Sequence, residues 1–269
     1  MNNFLFIASE NDAIKDCKVG GVGDVIRDVP RQISERGDRV HVVAPSYSRL
    51  HTHGKLINQL EFELRGQDYT AYLYEVPAKE KHVNISHYVI HHPEIEAGNI
   101  GGIYHHDPEP FFTDVVKYTI FCTAVAQAIK QGLFGKLDII HLHDWHSSLL
   151  LFLKKFHPEY SALKKSRFVY CIHNLALQGI RPFEDSYSSL RTWFPKIDFN
   201  YDELRDPRYP ECFNLMALGI RFADAVHTVS PSYKNDVMLP SEAPEFIGGE
   251  GLEKDLKKAD KDGRFYGIL

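Results

Sequence analysis

A glycine-rich segment at residues 18–24 is the sharpest local pattern that could do chemistry. It reads Lys-Val-Gly-Gly-Val-Gly-Asp, so Gly20 and Gly21 stand just before a predicted helix, with Lys18 ahead of them. Backbone N–H groups at such a turn can approach a bulky anion, and the helix dipole and the lysine add attraction. A tight turn that needs positive φ explains the same glycines equally well. The G-x-G-x-x-G dinucleotide fingerprint is broken at position 26, which is isoleucine, and a P-loop is absent.

Polar residues follow four of the predicted strands. In an open parallel sheet, ligands bind beyond the carboxyl ends of the strands, so these residues are expected at one rim. The four groups are Ser9 with Glu10, residues 143–146 (His-Asp-Trp-His), His173 with Asn174, and residues 230–232 (Ser-Pro-Ser).

Histidines in and next to the second of these groups also fit a metal site in part. His141 and His143 would share one face of a strand, as H-x-H zinc ligands do, and Asp144 and His146 lie beside them. Because no further ligand pattern supports a metal, we favour local packing and hydrogen bonding, and we expect neither a metal nor a cofactor.

An alternation of strands and helices positions these residues. Residues 4–8 predict a buried strand, residues 24–36 a helix that Pro30 should bend, and residues 39–45 the next strand. Further strands are predicted at residues 138–143, 167–173 and 224–230, and helices at residues 147–156, at residues 212–222 and from Pro231. The alternation predicts an α/β fold with a Rossmann-like, doubly wound parallel sheet.

Residues 56–90 depart from this alternation. Three segments rich in β-formers predict a β-rich insertion there, either a meander or an antiparallel unit, at residues 56–64, 69–76 and 83–90. Residues 111–130 predict an amphipathic helix, and residues 181–210 form a long connection of a kind that is usually functional. An apolar run at residues 263–269 normally needs burial by a later segment of the chain, so we expect a domain boundary there.

Composition excludes several classes of protein. The 269 residues suit one large α/β domain, and the formal net charge of -5 disfavours a nucleic-acid partner. No apolar run approaches the ~20 residues that span a bilayer, and the N-terminus lacks a signal peptide's basic region. The four cysteines are scattered, as reduced thiols would be, although a neighbouring lysine raises the hypothesis of a reactive Cys17 thiol. We therefore expect a cytoplasmic protein with no membrane partner.

Several of these segments, in order along the chain, resemble the glycogen and starch synthase family. Ser9 and Glu10 with residues 18–25 resemble that family's S-E … K-[TV]-G-G-L-[AG]-D-V. The remaining matches are residues 143–146 to H-D-W-H, residues 173–179 to H-N-x-x-[YF]-Q-G, residues 225–233 to A-D-x-[IV]-x-T-V-S-P-[TS]-Y, and residues 251–269 to the stretch before the second domain. Each motif alone is moderately specific, whereas their order along the whole chain is strongly so.

The resemblance implies a retaining transferase of the two-Rossmann-domain (GT-B) kind. Such enzymes move glucose from a nucleotide sugar, usually ADP-glucose in bacteria or else UDP-glucose, to the non-reducing end of an α-1,4-glucan or maltooligosaccharide, without a metal. Residues 1–269 would be the single N-terminal, acceptor-side catalytic domain. The C-terminal donor-binding Rossmann domain would be missing, so we expect this domain alone to be inactive.

The resemblance also assigns roles to individual residues. Asp144 and His173 would be the catalytic pair that lines the glucose site, and positive charge that develops on the sugar could be offset by a nearby carboxylate. The donor- and substrate-binding set would be Lys18, Gly20, Gly21, Asp24, Glu10, Tyr104 and Asn174, with the lysine stabilising the leaving diphosphate. Two departures are a leucine, Leu177, in place of the family's aromatic residue, and the absence of a proline after Glu10.

Two other functions remain open from the sequence. The chain could belong to another cleft transferase that uses UDP-sugars on a different acceptor. It could also be a glucan-binding module without catalysis, with oligosaccharide held by aromatics such as Tyr104, Trp145 and Trp193. A nicotinamide dehydrogenase is disfavoured by the broken fingerprint.

Overall fold

Strands and helices alternate in the computed structural model, which describes residues 1–105, 110–242 and 246–269. In the helix that begins at Pro110, the side chains are described from residue 114 onward. The strands are β1 (Asn3–Ile7), β2 (Arg39–Pro45), β3 (Lys55–Leu64), β4 (Gln67–Val76), β5 (Ile85–His91), β6 (Ile139–His143), β7 (Arg167–Ile172), β8 (Ile180–Pro182), β9 (Cys212–Asn214), β10 (Ala225–Thr228) and β11 (Phe265–Gly267). The α-helices are α1 (Gly21–Glu35), α2 (Pro110–Lys130), α3 (Leu149–Phe156), α4 (Leu190–Trp193), α5 (Tyr201–Leu204), α6 (Leu215–Phe222), α7 (Pro231–Asp236) and α8 (Glu253–Lys261). Short 3-10 helices lie at Leu50–His53, Trp145–Ser147 and Pro158–Lys165.

The main sheet has nine strands in the order β11-β10-β7-β6-β1-β2-β5-β4-β3. The strands from β11 to β5 pair in parallel, whereas β4 and β3 extend the sheet antiparallel. The chain first adds strands on one side of β1 and then returns to add β6 on the other side. This reversal makes the carboxyl ends of β1 and β6 the switch point, where doubly wound sheets bind ligands. The predicted Rossmann-like fold is confirmed.

The predicted β-rich region is confirmed as an antiparallel meander of β3, β4 and β5. β3 and β4 form an antiparallel hairpin that turns at Arg65 and Gly66, both with positive φ. The third segment, β5, pairs antiparallel with β4 and also in parallel with β2, so it joins the meander to the doubly wound sheet. The parallel pairing of β5 with β2 could not be predicted, because local hydrophobic pattern does not encode the direction in which a strand pairs.

The first helix begins earlier than predicted and is not ended by its proline. α1 starts at Gly21, so two of the three clustered glycines lie in its first turn, and it continues through Pro30 to Glu35. Pro30 is buried within the helix, where its ring cannot donate the backbone hydrogen bond of an ordinary helical residue.

The prediction of an amphipathic α2 is wrong. Every side chain from Asp114 to Ala126 is buried, because the helix packs on β3 and is also covered by α3 and the 3-10 helix at Pro158–Lys165. A helix that is enclosed on all sides carries apolar residues on all sides.

The C-terminal half also differs from the predicted outline. The long connection at residues 181–210 contains α4 and α5, and the segment predicted as one helix from Cys212 begins with β9. The apolar run near residue 265 forms β11, which pairs with β10 and buries Phe265.

Among the described residues, no helix has both the length and the apolar character that crossing a bilayer requires.

Candidate active site

Glu10 lies just beyond the carboxyl end of β1 and clamps the glycine-rich segment. Its Oε2 accepts hydrogen bonds from the backbone N–H groups of Val19, at 2.6 Å, and Gly20, at 2.7 Å. Its Oε1 accepts one from the Tyr104 hydroxyl at 2.7 Å, and that hydroxyl also lies 2.8 Å from Ser9 Oγ. Glu10 therefore fixes the backbone before α1, and this explains why a carboxylate can be buried here.

The backbone angles of the three glycines exclude one of the two interpretations of this segment. None of the three takes a positive φ, so the tight-turn explanation is wrong. A Cβ at Gly23 would lie 3.0 Å from Lys18 Cγ and 3.3 Å from Glu10 Oε2, whereas a Cβ at Gly21 would meet nothing within 4 Å. Gly23 thus makes room for the clamp, and Gly21 leaves open space at the amino end of α1.

Lys18 and Asp24 form an ion pair at the first turn of α1. Lys18 Nζ donates to Asp24 Oδ1 at 2.6 Å, and this hydrogen bond raises the pKa of the lysine. Both side chains are exposed, so the pair adds little stability. Asp24 thereby holds the lysine ammonium beside the amino end of the helix, where Gly20 provides no side-chain cap.

Asp144 ties the carboxyl ends of β6 and β7 together. Its backbone has a φ of 53°, a strained value for a residue other than glycine. Its Oδ1 accepts the backbone N–H of His173 at 2.8 Å and that of Asn174 at 3.4 Å, and its own N–H donates to Cys171 O at 2.9 Å. Burial raises the pKa of the Asp144 carboxyl to about 7, although the two amide bonds pull it down.

Imidazoles line the same end of the sheet. His143 Nδ1 lies 2.9 Å from His173 Nε2, and His141 Nε2 lies 2.9 Å from His227 Nε2. Cys171 Sγ lies 3.3 Å from His173 Nε2. Burial lowers the pKa of His173 to about 4, so this ring is neutral at physiological pH.

One cavity of about 480 Å³ joins several of the predicted site residues. Tyr104, Asp144 and Asn174 line it, together with Trp145 and with Val22 from the first turn of α1. Glu10 and His173 border this group through their hydrogen bonds to Tyr104 and Asp144. The cavity therefore connects the switch point of the sheet to the amino end of α1.

A buried ion pair beside the cavity was not predicted from the sequence. Lys117 Nζ lies 2.8 Å from Asp114 Oδ1 and donates to Ile103 O at 2.7 Å. His105 Nδ1 lies 2.9 Å from the same aspartate oxygen, and both His105 and Asp114 line the cavity. The available signal was a lysine inside the apolar stretch of α2, since a buried lysine needs a charged partner.

Two tyrosines missed by the sequence analysis support the end of β1. The Tyr47 hydroxyl donates to Ser9 O at 2.6 Å and lies 3.0 Å from the Tyr118 hydroxyl. Both rings are buried, so they fix the backbone from which Glu10 reaches the glycine segment.

The hypothesis of a reactive Cys17 is wrong. The thiol is fully buried, and burial raises its pKa to about 12. The neighbouring lysine directs its charge to Asp24 instead, so it does not favour a thiolate.

A family model described as the starch synthase catalytic domain matches residues 3–258. The chain belongs to the starch synthase catalytic domain family. Curated relatives of this starch synthase domain include a glycogen synthase from Anaeromyxobacter sp. (strain Fw109-5), 30% identical over 98% of this chain and 51% of the relative. A glycogen synthase from Clostridioides difficile (strain 630) is 32% identical over 94% of this chain and 49% of the relative. The chain thus spans about half the length of the curated relatives that it matches.

A solved structure shares the fold of this starch synthase domain. The catalytic domain of Starch Synthase IV from Arabidopsis thaliana, bound to ADP and acarbose, superposes with a TM-score of 0.74 at 22% identity. The superposition covers 100% of this chain and 51% of that one. The likeness supports the Rossmann-like half of a GT-B fold.

Proposed function

We propose that this starch synthase domain is the acceptor-side half of a retaining glucosyltransferase. It would act on ADP-glucose or UDP-glucose and extend the non-reducing end of an α-1,4-glucan, together with a donor-binding second domain. The observation that carries the proposal is the cavity at the switch point, where Tyr104, Asp144 and Asn174 meet the amino end of α1. Such a position suits a sugar next to a phosphate-binding helix.

The amino end of α1 is our candidate for the donor diphosphate. Gly21 leaves open space for a close approach, and the exposed Lys18 ammonium, held there by Asp24, is a cation that a diphosphate can contact. Negative charge grows on the diphosphate as the glycosidic bond breaks, so a fixed dipole and a lysine at this point stabilise the transition state. The Gly20 amide is already bonded to Glu10, so its part is to position the backbone.

The ends of β6 and β7 are our candidates for the transferred glucose. The neutral His173 ring can exchange hydrogen bonds with sugar hydroxyls, and its backbone is held by Asp144. The Asp144 carboxyl, with a pKa of about 7, is ionised in a large fraction of molecules at neutral pH. Its negative charge then offsets positive charge on the sugar ring. Trp145 and Tyr104 supply the apolar and aromatic wall that glucan rings pack against.

Glucosyl transfer by a longer protein that includes the second domain tests this proposal. We expect incorporation of glucose from ADP-glucose or UDP-glucose into maltooligosaccharide with retained configuration. Lys18→Ala should lower kcat or raise the donor KM at least ~10-fold, which is about 1.4 kcal/mol. Lys15→Ala is the matched control, because Lys15 is an exposed lysine of the same loop. Absence of transfer from either donor, or wild-type kinetics for Lys18→Ala, would contradict the proposal.

A further inference from the structure

We propose that His143, Cys171 and His173 form a binding site for a borderline-soft divalent cation, of which Zn²⁺ is the best fit. Each offers one ligand atom, and the three atoms lie within 4.8 Å of one another. Two imidazoles and a thiol are the donors that zinc and cobalt prefer, whereas magnesium prefers oxygen.

The register of the sheet brings these three residues together. β6 and β7 pair in parallel with His143 opposite Cys171, so their side chains stand next to each other on one face. His173 comes two residues after Cys171, just past the end of β7, and its Nε2 reaches both neighbours. Asp144 holds the backbone of His173 in place, so the ligands are positioned before any ion arrives.

The separations of His173 Nε2 from the other two ligand atoms are slightly shorter than a metal requires, and all three atoms lie within 4.8 Å of one another. With bonds of about 2.1 Å to nitrogen and about 2.3 Å to sulfur, tetrahedral zinc sets its ligand atoms roughly 3.4–3.6 Å apart. His143 Nδ1 and His173 Nε2 are 2.9 Å apart, and Cys171 Sγ and His173 Nε2 are 3.3 Å apart. Binding therefore requires side-chain rotations that move His173 Nε2 slightly away from the other two ligand atoms. His143 and Cys171 are buried and His173 is half-buried, so a water molecule would reach the fourth position past His173.

Binding must release a proton from the buried thiol. A metal ion binds the thiolate and not the thiol, so the cation displaces the Cys171 proton to the buffer. The proton shared between His143 and His173 moves to the other ring nitrogen of the imidazole that carries it, which frees both lone pairs. The balance is one cation bound and one proton released.

An ion at this position would also occupy the predicted glucose site. It would take the Nε2 of His173 and add positive charge close to Asp144. We therefore expect the ion to inhibit glucosyl transfer. That consequence rests on the proposed function, whereas the binding itself does not.

Titration of the 269-residue chain with Co²⁺, under reducing conditions, tests the site by spectroscopy. We expect one equivalent to give a thiolate-to-cobalt charge-transfer band and intense visible bands typical of a four-coordinate ion. Zn²⁺ should bleach these bands, and Mg²⁺ should not. Calorimetry in buffers of different ionisation enthalpy should show about one proton released per ion.

Matched cysteine variants locate the site. Cys171→Ser should abolish the charge-transfer band and weaken binding at least ~10-fold, with an unchanged circular dichroism spectrum. Cys122→Ser, at another buried thiol, and Cys212→Ser, at a partly exposed one, should keep the band. A band that persists in Cys171→Ser, or no band in the wild-type chain, would overturn the proposal.

If Cys171→Ser does not fold, X-ray absorption of the zinc-loaded wild type decides: one sulfur and two nitrogens support the site, and a shell without sulfur refutes it. Neither result depends on transferase activity.

Discussion

At the residue scale, the site depends on two buried carboxylates that hold backbone in place. Glu10 accepts two amides of the glycine segment, and Asp144 accepts the amide of His173. The resemblance of the motifs to a known family singled out both residues, but it gave them roles at the substrate. Their acceptor bonds could not be predicted from the sequence, because each one joins segments that come together only in the folded sheet.

Replacing Asp144 with asparagine should remove a pH dependence of stability. The pKa of the carboxyl is about 7 in the folded protein instead of its ordinary value of 3.8. Between these two pH values, the folded state therefore holds a proton that the unfolded state has lost. Its contribution is fully present below pH 3.8 and is lost as the pH rises through 7. Asparagine stays neutral, tolerates positive φ, and keeps an oxygen for the His173 amide.

We therefore expect the Asp144→Asn variant to gain stability relative to wild type, by up to about 4 kcal/mol, between pH 4 and pH 8. Urea unfolding of both proteins across that range measures this. Unfolding free energies that differ by a constant amount would show that the carboxyl is not perturbed.

Replacing Gly21 with alanine should separate function from stability. A Cβ at this position meets no atom within 4 Å, so the free energy of unfolding should stay within about 0.5 kcal/mol of wild type. If the donor diphosphate approaches this backbone, the added methyl group should raise the donor KM of the longer, two-domain protein at least ~10-fold. Normal donor kinetics would place the diphosphate elsewhere.

At the element scale, hydrophobic pattern predicted which segments are strands and helices better than it predicted their surroundings. β1, β2, β6, β7 and β10 lie where the sequence indicates, because their short apolar runs are local signals. The parallel pairing of β5 and the complete burial of α2 between Asp114 and Ala126 depend on neighbours that are distant in the sequence. The start of α1 was misplaced because glycines were interpreted as loop residues.

The contact between α6 and β7 gives a prediction at this scale. A Cβ at Gly219 of α6 would lie 2.2 Å from ring atoms of Tyr170 on β7. That ring is buried, and its hydroxyl is held by Ser148 and Met216, so it cannot move aside easily. We expect Gly219→Ala to lower the free energy of unfolding by about 1–3 kcal/mol in urea titrations. Gly21→Ala is the control, and equal midpoints for the two variants would show that α6 can shift away.

At the scale of the whole molecule, the fold encloses many histidines in neutral form. Burial lowers the pKa of His41 and His87 to about 4 and that of His146 to about 3. The sequence shows 15 histidines but not which of them the sheet buries. Their burial predicts a protein that loses stability in mild acid, since the unfolded chain takes up protons that the folded chain excludes.

His41 offers the cleanest test of this acid sensitivity. The ring is buried, and neither ring nitrogen has a hydrogen-bond partner in the described structure, so leucine leaves no polar group unpaired. Its stability contribution is fully present above pH 6.5 and falls as the pH drops towards 4. We expect His41→Leu to gain about 2 kcal/mol over wild type between pH 7.5 and pH 5, measured by urea unfolding. The exposed His53→Gln serves as control, and a parallel pH dependence for wild type and His41→Leu would contradict this explanation.

We propose that the cavity at the switch point is a glucan site that this chain builds without a second domain. Isothermal titration of the 269-residue chain with maltooligosaccharide and, separately, with ADP-glucose tests it most directly. We predict oligosaccharide binding that is weakened by Tyr104→Ala and retained in His53→Gln, with little affinity for the nucleotide sugar. Tight binding of ADP-glucose without any binding of oligosaccharide would show that the cavity is not a glucan site.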